Sequence, residues 1–395
     1  MIDKKMLKLG TERSAIRELF EYGNALKKEK GDGAVFDFTL GNPSVLPPEE
    51  VKASLVSLLS DEKIHCYTSA QGAENVRIAM ADKLSARFGV NYSPDRIIMT
   101  VGAAASLAIL FKALVSSENE EIIVLKPYFP EYKVFIESTG GKCVEVDFNE
   151  DDLSVNFDDL KSKINENTVA VVINSPNNPT GLVYSDSDLR RLAEILEEKQ
   201  RQFSHPIYIV SDEPYREVVF DGVTVPFVPK IYKNTIITYS YSKSLSLPGE
   251  RIGYIAMLDD VDLAEPIYYA CLGAMRSNGY VCAPSLFQRL VADLPEVYSD
   301  TKVYEKNRNT LLSHLEKWGY KCFKPQGAFY LFVKSPIESS LEFSNEAKKY
   351  GLLVVPADTF GASGYLRIAT CVKPETVEGA LPVFKLLADK FISKD

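Results

Sequence analysis

The chain has 395 residues, 46% hydrophobic and 25% charged, an ordinary balance for a globular protein with room for two domains. A net charge of −9 argues against nucleic-acid binding, and no apolar run reaches the length of a membrane-spanning helix. The first ten residues, MIDKKMLKLG, lack the apolar stretch of a signal peptide, so the expected location is the cytoplasm. Six scattered cysteines with no CxxC pair read as reduced thiols. Three dispersed histidines (His65, His205, His314) give no metal-binding spacing, so no metal is expected.

In chain order, residues 12–29 carry Ile16, Leu19, Phe20 and Leu26 on one side and predict a helix, stopped by Gly31 and Gly33. Phe36–Leu40 alternates like a short strand and runs into Gly41-Asn42-Pro43. From residue 96 strands and helices alternate. The expected strands are Arg96–Thr100, Glu121–Leu125, Ala170–Asn174, Ile207–Ser211, Thr235–Ser240 and Tyr254–Met257. Ala104–Leu114 and Asp186–Gln202 are expected helices between them. Apolar strands alternating with helices predict an α/β fold with a parallel sheet covered on both faces. After residue 285 the grouping changes. One long helical stretch, Ser285–Trp318, is followed by Ala328–Val333, Leu352–Val355 and Tyr365–Ala369, which suggests a smaller α+β domain. The expected division is a segment 1–45 joining the small domain, a large domain 46–285 and a small domain 286–395.

Four of these strands end in residues that a plain turn does not need. Ligands of open α/β sheets bind beyond the carboxyl ends of the strands. Thr235–Ser240 opens into Ser240-Tyr241-Ser242-Lys243, then a Ser/Gly/Pro loop reaching Arg251. A lone lysine at a strand end is most often solvated. A desolvated one loses its proton more readily and becomes a nucleophile for carbonyls. Asp212 follows the apolar run Ile207–Val210 and Ser211, and could hold a protonated ring nitrogen, or simply cap a helix. Asn178 sits in Ser175-Pro176-Asn177-Asn178-Pro179-Thr180-Gly181, where a turn asparagine is the plain alternative. Tyr215, three residues past Asp212, could equally be a core tyrosine. Gly102-Ala103-Ala104 opens a helix whose free N–H groups favour anions. Arg251 offers a bidentate grip on phosphate, with a surface ion pair as its alternative. Arg367, inside the strand Tyr365–Ala369, needs an anion or an internal carboxylate. Phosphate grip, ring-nitrogen carboxylate and Schiff-base lysine together describe a pyridoxal phosphate site.

With these motifs the chain resembles the class I and II aminotransferases of fold type I, which depend on pyridoxal 5′-phosphate (PLP). SPNNPTG (175–181), SDEPY (211–215) and SYSKSLSLPGERIGY (240–254) carry the likeness, and PQGAFYLF (325–332) and YLRIA (365–369) extend it. The resemblance implies a mostly parallel seven-stranded sheet between helices in the large domain. It implies that Lys243 holds PLP as a Schiff base and later moves the substrate's Cα proton. Asp212 would pair with the ring nitrogen, and Asn178 and Tyr215 with the ring hydroxyl. Gly102, Ala103, Ala104, Ser240 and Arg251 would hold the phosphate, and Phe129 would stack on the ring. Arg367 would bind the substrate carboxylate, helped by Asn178 and Gly41. Tyr67 matches a tyrosine that reaches the neighbouring subunit's phosphate, which implies a homodimer with shared active sites. The implied reaction is ping-pong transfer of an amino group from an L-amino acid to a 2-oxo acid.

Two features complicate that reading. Some relatives that use aspartate carry a lysine for the distal carboxylate where Ala104 stands here. Arg276 could supply that cation from a partner subunit, or be an outer-surface arginine. A PLP-dependent C–S β-lyase or a ring-forming synthase on the same fold is the alternative enzyme. A PLP-binding regulator is disfavoured, because only about 40 residues precede Gly41 and they contain no basic recognition helix.

Overall fold

The computed structural model describes residues 2–11 and 15–392. Among these the strands are, in chain order, β1 (Phe36–Asp37), β2 (Ile97–Thr100), β3 (Glu121–Leu125), β4 (Lys142–Val146), β5 (Thr168–Asn174), β6 (Tyr208–Asp212), β7 (Thr235–Ser240), β8 (Gly253–Met257), β9 (Cys322–Phe323), β10 (Tyr330–Lys334), β11 (Leu352–Leu353), β12 (Val355–Pro356) and β13 (Tyr365–Ala369). The described residues form two compact units, one of residues 45–177 and 183–300, the other of the described residues within 1–44, 178–182 and 301–395.

The larger unit is built on a seven-stranded sheet ordered β2-β8-β7-β6-β5-β3-β4. Neighbours are parallel from β7 to β4, and only β8 runs against its two neighbours. Its strands are buried on both faces because they are apolar on both. Ile98, Val124, Val172, Val210 and Ile236 pack under helices Ala103–Leu114 and Ala264–Asn278. Their neighbours Ile123, Val171, Ile173 and Ile209 face the helix Asp186–Phe203. Each such side chain contributes roughly 1.5–3 kcal/mol by leaving water. That helix begins where predicted because Ser185 and Asp188 form a reciprocal capping box. The edge strand β4, half-exposed and interrupted by Lys142 and Glu145, escapes the apolar-run criterion.

The smaller unit holds an antiparallel sheet ordered β12-β13-β10-β9 and a parallel pair, β1 with β11. Two expectations change here and at its border. The expected strand Phe36–Leu40 stops at Asp37, whose carboxylate accepts bonds from the Thr39 backbone N–H and hydroxyl and turns the chain. The expected stretch 285–318 is two helices, Ser285–Asp293 and Lys302–Lys317. Pro295 forces Leu294 into extended backbone (φ −61°, ψ 137°), which ends the first helix. The helix expected over 12–29 is described as Ala15–Lys30, with 12–14 outside the described residues. Among the described residues no helix is long and apolar enough to cross a membrane, and no metal-ligating cluster forms.

Candidate active site

In the larger unit, strand register gathers the predicted residues at the carboxyl ends of the parallel strands. Thr100 of β2 and Ser240 of β7 both lie opposite Gly253 of β8. One strand further on, Asp212 lies between Asn174 and Thr238. Gly253 is required there: a Cβ on it would stand 2.2 Å from the Tyr239 carbonyl and 3.0 Å from Gly102 Cα.

Gly102 takes φ +91° and caps the helix Ala103–Leu114. A Cβ on Gly102 would come 2.6 Å from an Arg251 guanidinium nitrogen, so the guanidinium lies directly over the helix start. Arg251 also donates to Ser242 Oγ at 3.2 Å and to the Pro248 carbonyl at 2.9 Å. Ser240 Oγ and Ser242 Oγ are 2.7 Å apart, and Ser240 Oγ accepts from the Ser242 backbone N–H at 3.2 Å. Two hydroxyls, a guanidinium and a helix N-terminus therefore converge on one spot, an arrangement suited to a phosphate. Lys243 lies in the next turn, Tyr241–Ser244, half-buried.

Asp212 is buried. Its Oδ2 accepts from Tyr132 Oη at 2.6 Å and its Oδ1 from Thr238 Oγ1 at 3.1 Å. Among the described residues it has no cationic partner. Burial pushes its carboxyl up to about 7, partly countered by those two hydroxyls, with Glu213 raising it further. A carboxylate so placed gains most from a positive charge brought beside it. The turn behind it is rigid. Glu213 accepts from Ser211 Oγ at 2.8 Å and pairs with Arg216, which also donates to the Val225 and Pro226 carbonyls, each at 3.1 Å. Tyr215 is buried in that turn. Phe129 stands edge-on to Tyr132, centroids 5.6 Å apart at 85°.

In the smaller unit, Arg367 of β13 is 2% exposed. It donates to Asn178 Oδ1 at 3.2 Å and to the Thr39 carbonyl. The Tyr330 and Phe360 rings lie 4.5 and 5.0 Å from its guanidinium carbon, and its Nε has no partner. Among the described residues no carboxylate pairs with it, so the internal acid considered for it is not there. Gly41 is close by: a Cβ on it would strike the Tyr330 hydroxyl at 1.8 Å. Asn178 thus belongs with Arg367, while Lys243, Asp212, Tyr215, Ser240, Arg251, Phe129 and the Gly102–Ala104 turn belong to the larger unit. Tyr67 is 91% exposed, and Arg276 is an exposed residue of the helix Ala264–Asn278.

Three residues of this site carry roles that motif reading did not assign. Tyr132 and Thr238 hold the Asp212 carboxylate, and Ser242 joins the hydroxyl pair. Tyr132 follows Phe129 by one helical turn, which could have drawn notice. Thr238 is visible only through the β6–β7 register.

The profile of the family "Aminotransferase class I and II" matches residues 34–384. The chain belongs to that family. It is 31% identical over 384 residues to a protein of Aquifex aeolicus named probable aspartate/prephenate aminotransferase, covering 90% of this chain and 91% of that one. It is 30% identical over 390 residues to aromatic-amino-acid aminotransferase 2 of Thermococcus litoralis, covering 95% and 96%. A crystal structure of an aminotransferase from Eubacterium rectale superposes with TM-score 0.97 at 45% identity over all of both chains. The aspartate aminotransferase of Thermus thermophilus with maleate superposes with TM-score 0.84 at 25% identity, covering 98% of this chain and all of that one.

The chain is thus a PLP-dependent aminotransferase of fold type I, an enzyme that moves an amino group from an amino acid to a 2-oxo acid. Its own residues fit the cofactor. A buried carboxylate lacking a cation suits a ring nitrogen, and a glycine-capped helix under a guanidinium suits a phosphate. We expect Gly102→Ala to weaken cofactor binding by about tenfold or more. Arg251's flexible end can yield, but an L-residue at this φ is strained by about 1–3 kcal/mol. Titration of the apoenzyme with PLP, followed by visible absorbance, checks this.

Proposed function

We propose that Lys243 is the cofactor-bearing and proton-moving lysine of an amino-acid aminotransferase. The observation that carries this reading is the buried Asp212 carboxylate, held by two hydroxyls and no cation, one strand away from the strand that ends in Ser240-x-x-Lys243. PLP, when bound, supplies an electron sink that stabilises negative charge on the substrate Cα. Asp212 keeps the ring nitrogen protonated, and Tyr132 and Thr238 keep Asp212 aimed. Ser240, Ser242, Arg251 and the amides of Ala103 and Ala104 grip the phosphate. Tyr215 and Asn178 hydrogen-bond the ring hydroxyl, and Phe129 lies against the ring. Lys243 Nζ takes the proton from the substrate Cα as general base. Arg367, oriented by Asn178, anchors the substrate carboxylate, and the Gly41 backbone adds to that anchor.

The functional unit is a homodimer in which Tyr67 reaches the partner's phosphate. An aromatic side chain exposed over nine-tenths of its surface is well placed for such a contact. The enzyme works in the cytoplasm. The relatives' names make aspartate, prephenate's amino product and aromatic amino acids the first donors to test. Ala104 removes one device for aspartate, and Arg276 of a partner is the candidate replacement.

A half-reaction screen tests the reading. The PLP-loaded enzyme is mixed with each amino acid, and loss of the lysine-bound cofactor's visible band is followed together with release of the 2-oxo acid. At least one amino acid is expected to give both in one-to-one yield. Release of pyruvate and ammonia, with sulfide from cysteine or homocysteine from cystathionine, and no amino transfer from any donor, would establish a β-lyase instead. Arg367→Ala is expected to raise KM for the amino substrate about 100-fold, consistent with loss of a buried charge-assisted pair, and to leave the visible band unchanged.

A further inference from the structure

The larger unit contains a cavity of about 330 Å³, lined in part by Tyr239, Tyr241, Tyr254, Leu84, Leu294 and Val297. None of its lining residues has a role in the reaction described above. Their chemistry is specific. The walls are apolar and aromatic, and Tyr239, Tyr241 and Tyr254 form a cluster with ring centroids 5.0–6.2 Å apart. The charged lining groups are already used. Lys83 donates to the carbonyls of Val291, Ala292 and Leu294, at 3.0, 2.6 and 2.6 Å. Arg87 pairs with the buried Glu217 at 2.7 Å and with Glu296 at 3.4 Å.

Two tyrosine hydroxyls are not used in that way. Tyr254 is 5% exposed, and among the described residues its hydroxyl has no hydrogen-bond partner. Tyr241 Oη has only a sulfur, Met80 Sδ at 3.4 Å, a weak acceptor. Tyr239, by contrast, is satisfied: its hydroxyl donates to Glu217 and accepts from Ser244 Oγ, both at 2.8 Å. A hydroxyl on an apolar cavity wall with no strong protein partner gains when a bound group supplies one.

We propose that this cavity is a second ligand site, for an uncharged two-ring aromatic molecule carrying one hydrogen-bonding group. Size sets the ring count: an apolar cavity of about 150 Å³ holds one benzene, and this one is about twice as large. Charge neutrality follows because three carbonyls take the three donors of Lys83 and two carboxylates pair with Arg87, which leaves neither group turned to an anionic ligand. The hydrogen-bonding group meets the hydroxyls of Tyr254 and Tyr241. The aromatic walls give offset or edge-on contacts to the rings. The site backs onto the segment that carries Lys243, since Tyr241 and Leu245 both line it.

Isothermal titration of the PLP-loaded enzyme with 2-naphthol, and separately with naphthalene, tests the proposal. One 2-naphthol per chain is expected, undisturbed by saturating maleate, a dicarboxylate directed at the substrate site. Naphthalene and the Tyr254→Phe variant are each expected to bind about 3–10-fold more weakly, the value of one hydrogen bond. Val297→Trp and Ala86→Trp, which fill the cavity from two sides, are expected to abolish binding and leave transamination intact. No saturable 2-naphthol binding to wild type would overturn the site, and so would displacement by maleate or undiminished binding in both tryptophan variants. Equal affinity for naphthalene would overturn the role of the hydroxyls. If only one tryptophan variant folds, the other still decides.

Discussion

Replacing Lys243 with alanine is expected to lower turnover by about 10⁴-fold or more, because the role proposed for it makes one residue both the covalent anchor and the general base. The visible band of lysine-bound cofactor should vanish with it. The fold should survive. Lys243 lies in a four-residue turn held by backbone bonds, Leu245 N–H to the Tyr241 carbonyl and Ser299 N–H to the Ser244 carbonyl. Alanine is a good helix former, so the stability change should stay within about 0.5 kcal/mol. The phosphate grip proposed for Ser240, Ser242 and Arg251 is untouched, so PLP should still bind without a covalent link. Added methylamine should restore part of the turnover by replacing the missing base. The decisive measurement is turnover beside thermal unfolding of the same preparation. Activity within tenfold of wild type, in a folded variant, would assign the base to another residue.

Asp212→Asn is expected to cut turnover by about 100-fold or more, in line with the loss of a buried, preorganised electrostatic group. Asparagine keeps the shape and one acceptor oxygen, so the charge alone is tested. Its amide must face Tyr132 or Thr238, and one of those hydroxyls has to turn away. Near-normal turnover would remove Asp212 from the ring-nitrogen role.

The same variant gives a second readout that needs no catalysis. In the protein without cofactor, burial raises the Asp212 carboxyl to about 7, against about 3.8 when unfolded. The folded state therefore holds this proton more tightly than the unfolded chain does. Its contribution is fully favourable below about pH 4 and is lost as pH rises toward 7, a change on the order of 4 kcal/mol. The apoenzyme should therefore lose stability across that window, and Asp212→Asn should flatten the slope. Adding PLP to wild type should flatten it too, by placing a cation beside the carboxylate. Denaturant unfolding at pH 5, 6, 7 and 8 checks this. A slope unchanged by the substitution would mean that Asp212 keeps its charge by some other means.

How much of this was legible in the residues can be seen strand by strand. β3, β7 and β13 were read to within a residue, because their apolar runs are unbroken and bounded by polar or turn-forming residues. β4 was not, because an edge strand with one exposed face carries too few apolar residues to stand out. The helical stretch predicted over Ser285–Trp318 breaks at Pro295, a local signal that the apolar periodicity around it concealed. Lys243, Asp212, Asn178 and Arg251 could be singled out from strand-end position and motif order.

Local chemistry along the chain determined the alternation of strands and helices, the family, the cofactor and the residue types expected to hold it. Each of those depends on contiguous residues or short spacings, which a sequence displays directly. Tertiary structure alone decided which side chains meet. It brought Tyr132 to Asp212 across 80 positions and Thr238 across 26. It joined Asn178 to Arg367 across 189, and set Gly102 against the Arg251 guanidinium. Those contacts follow from strand order and register. Register is chosen by the burial of whole strand faces summed over the sheet, a quantity that no short stretch of sequence contains.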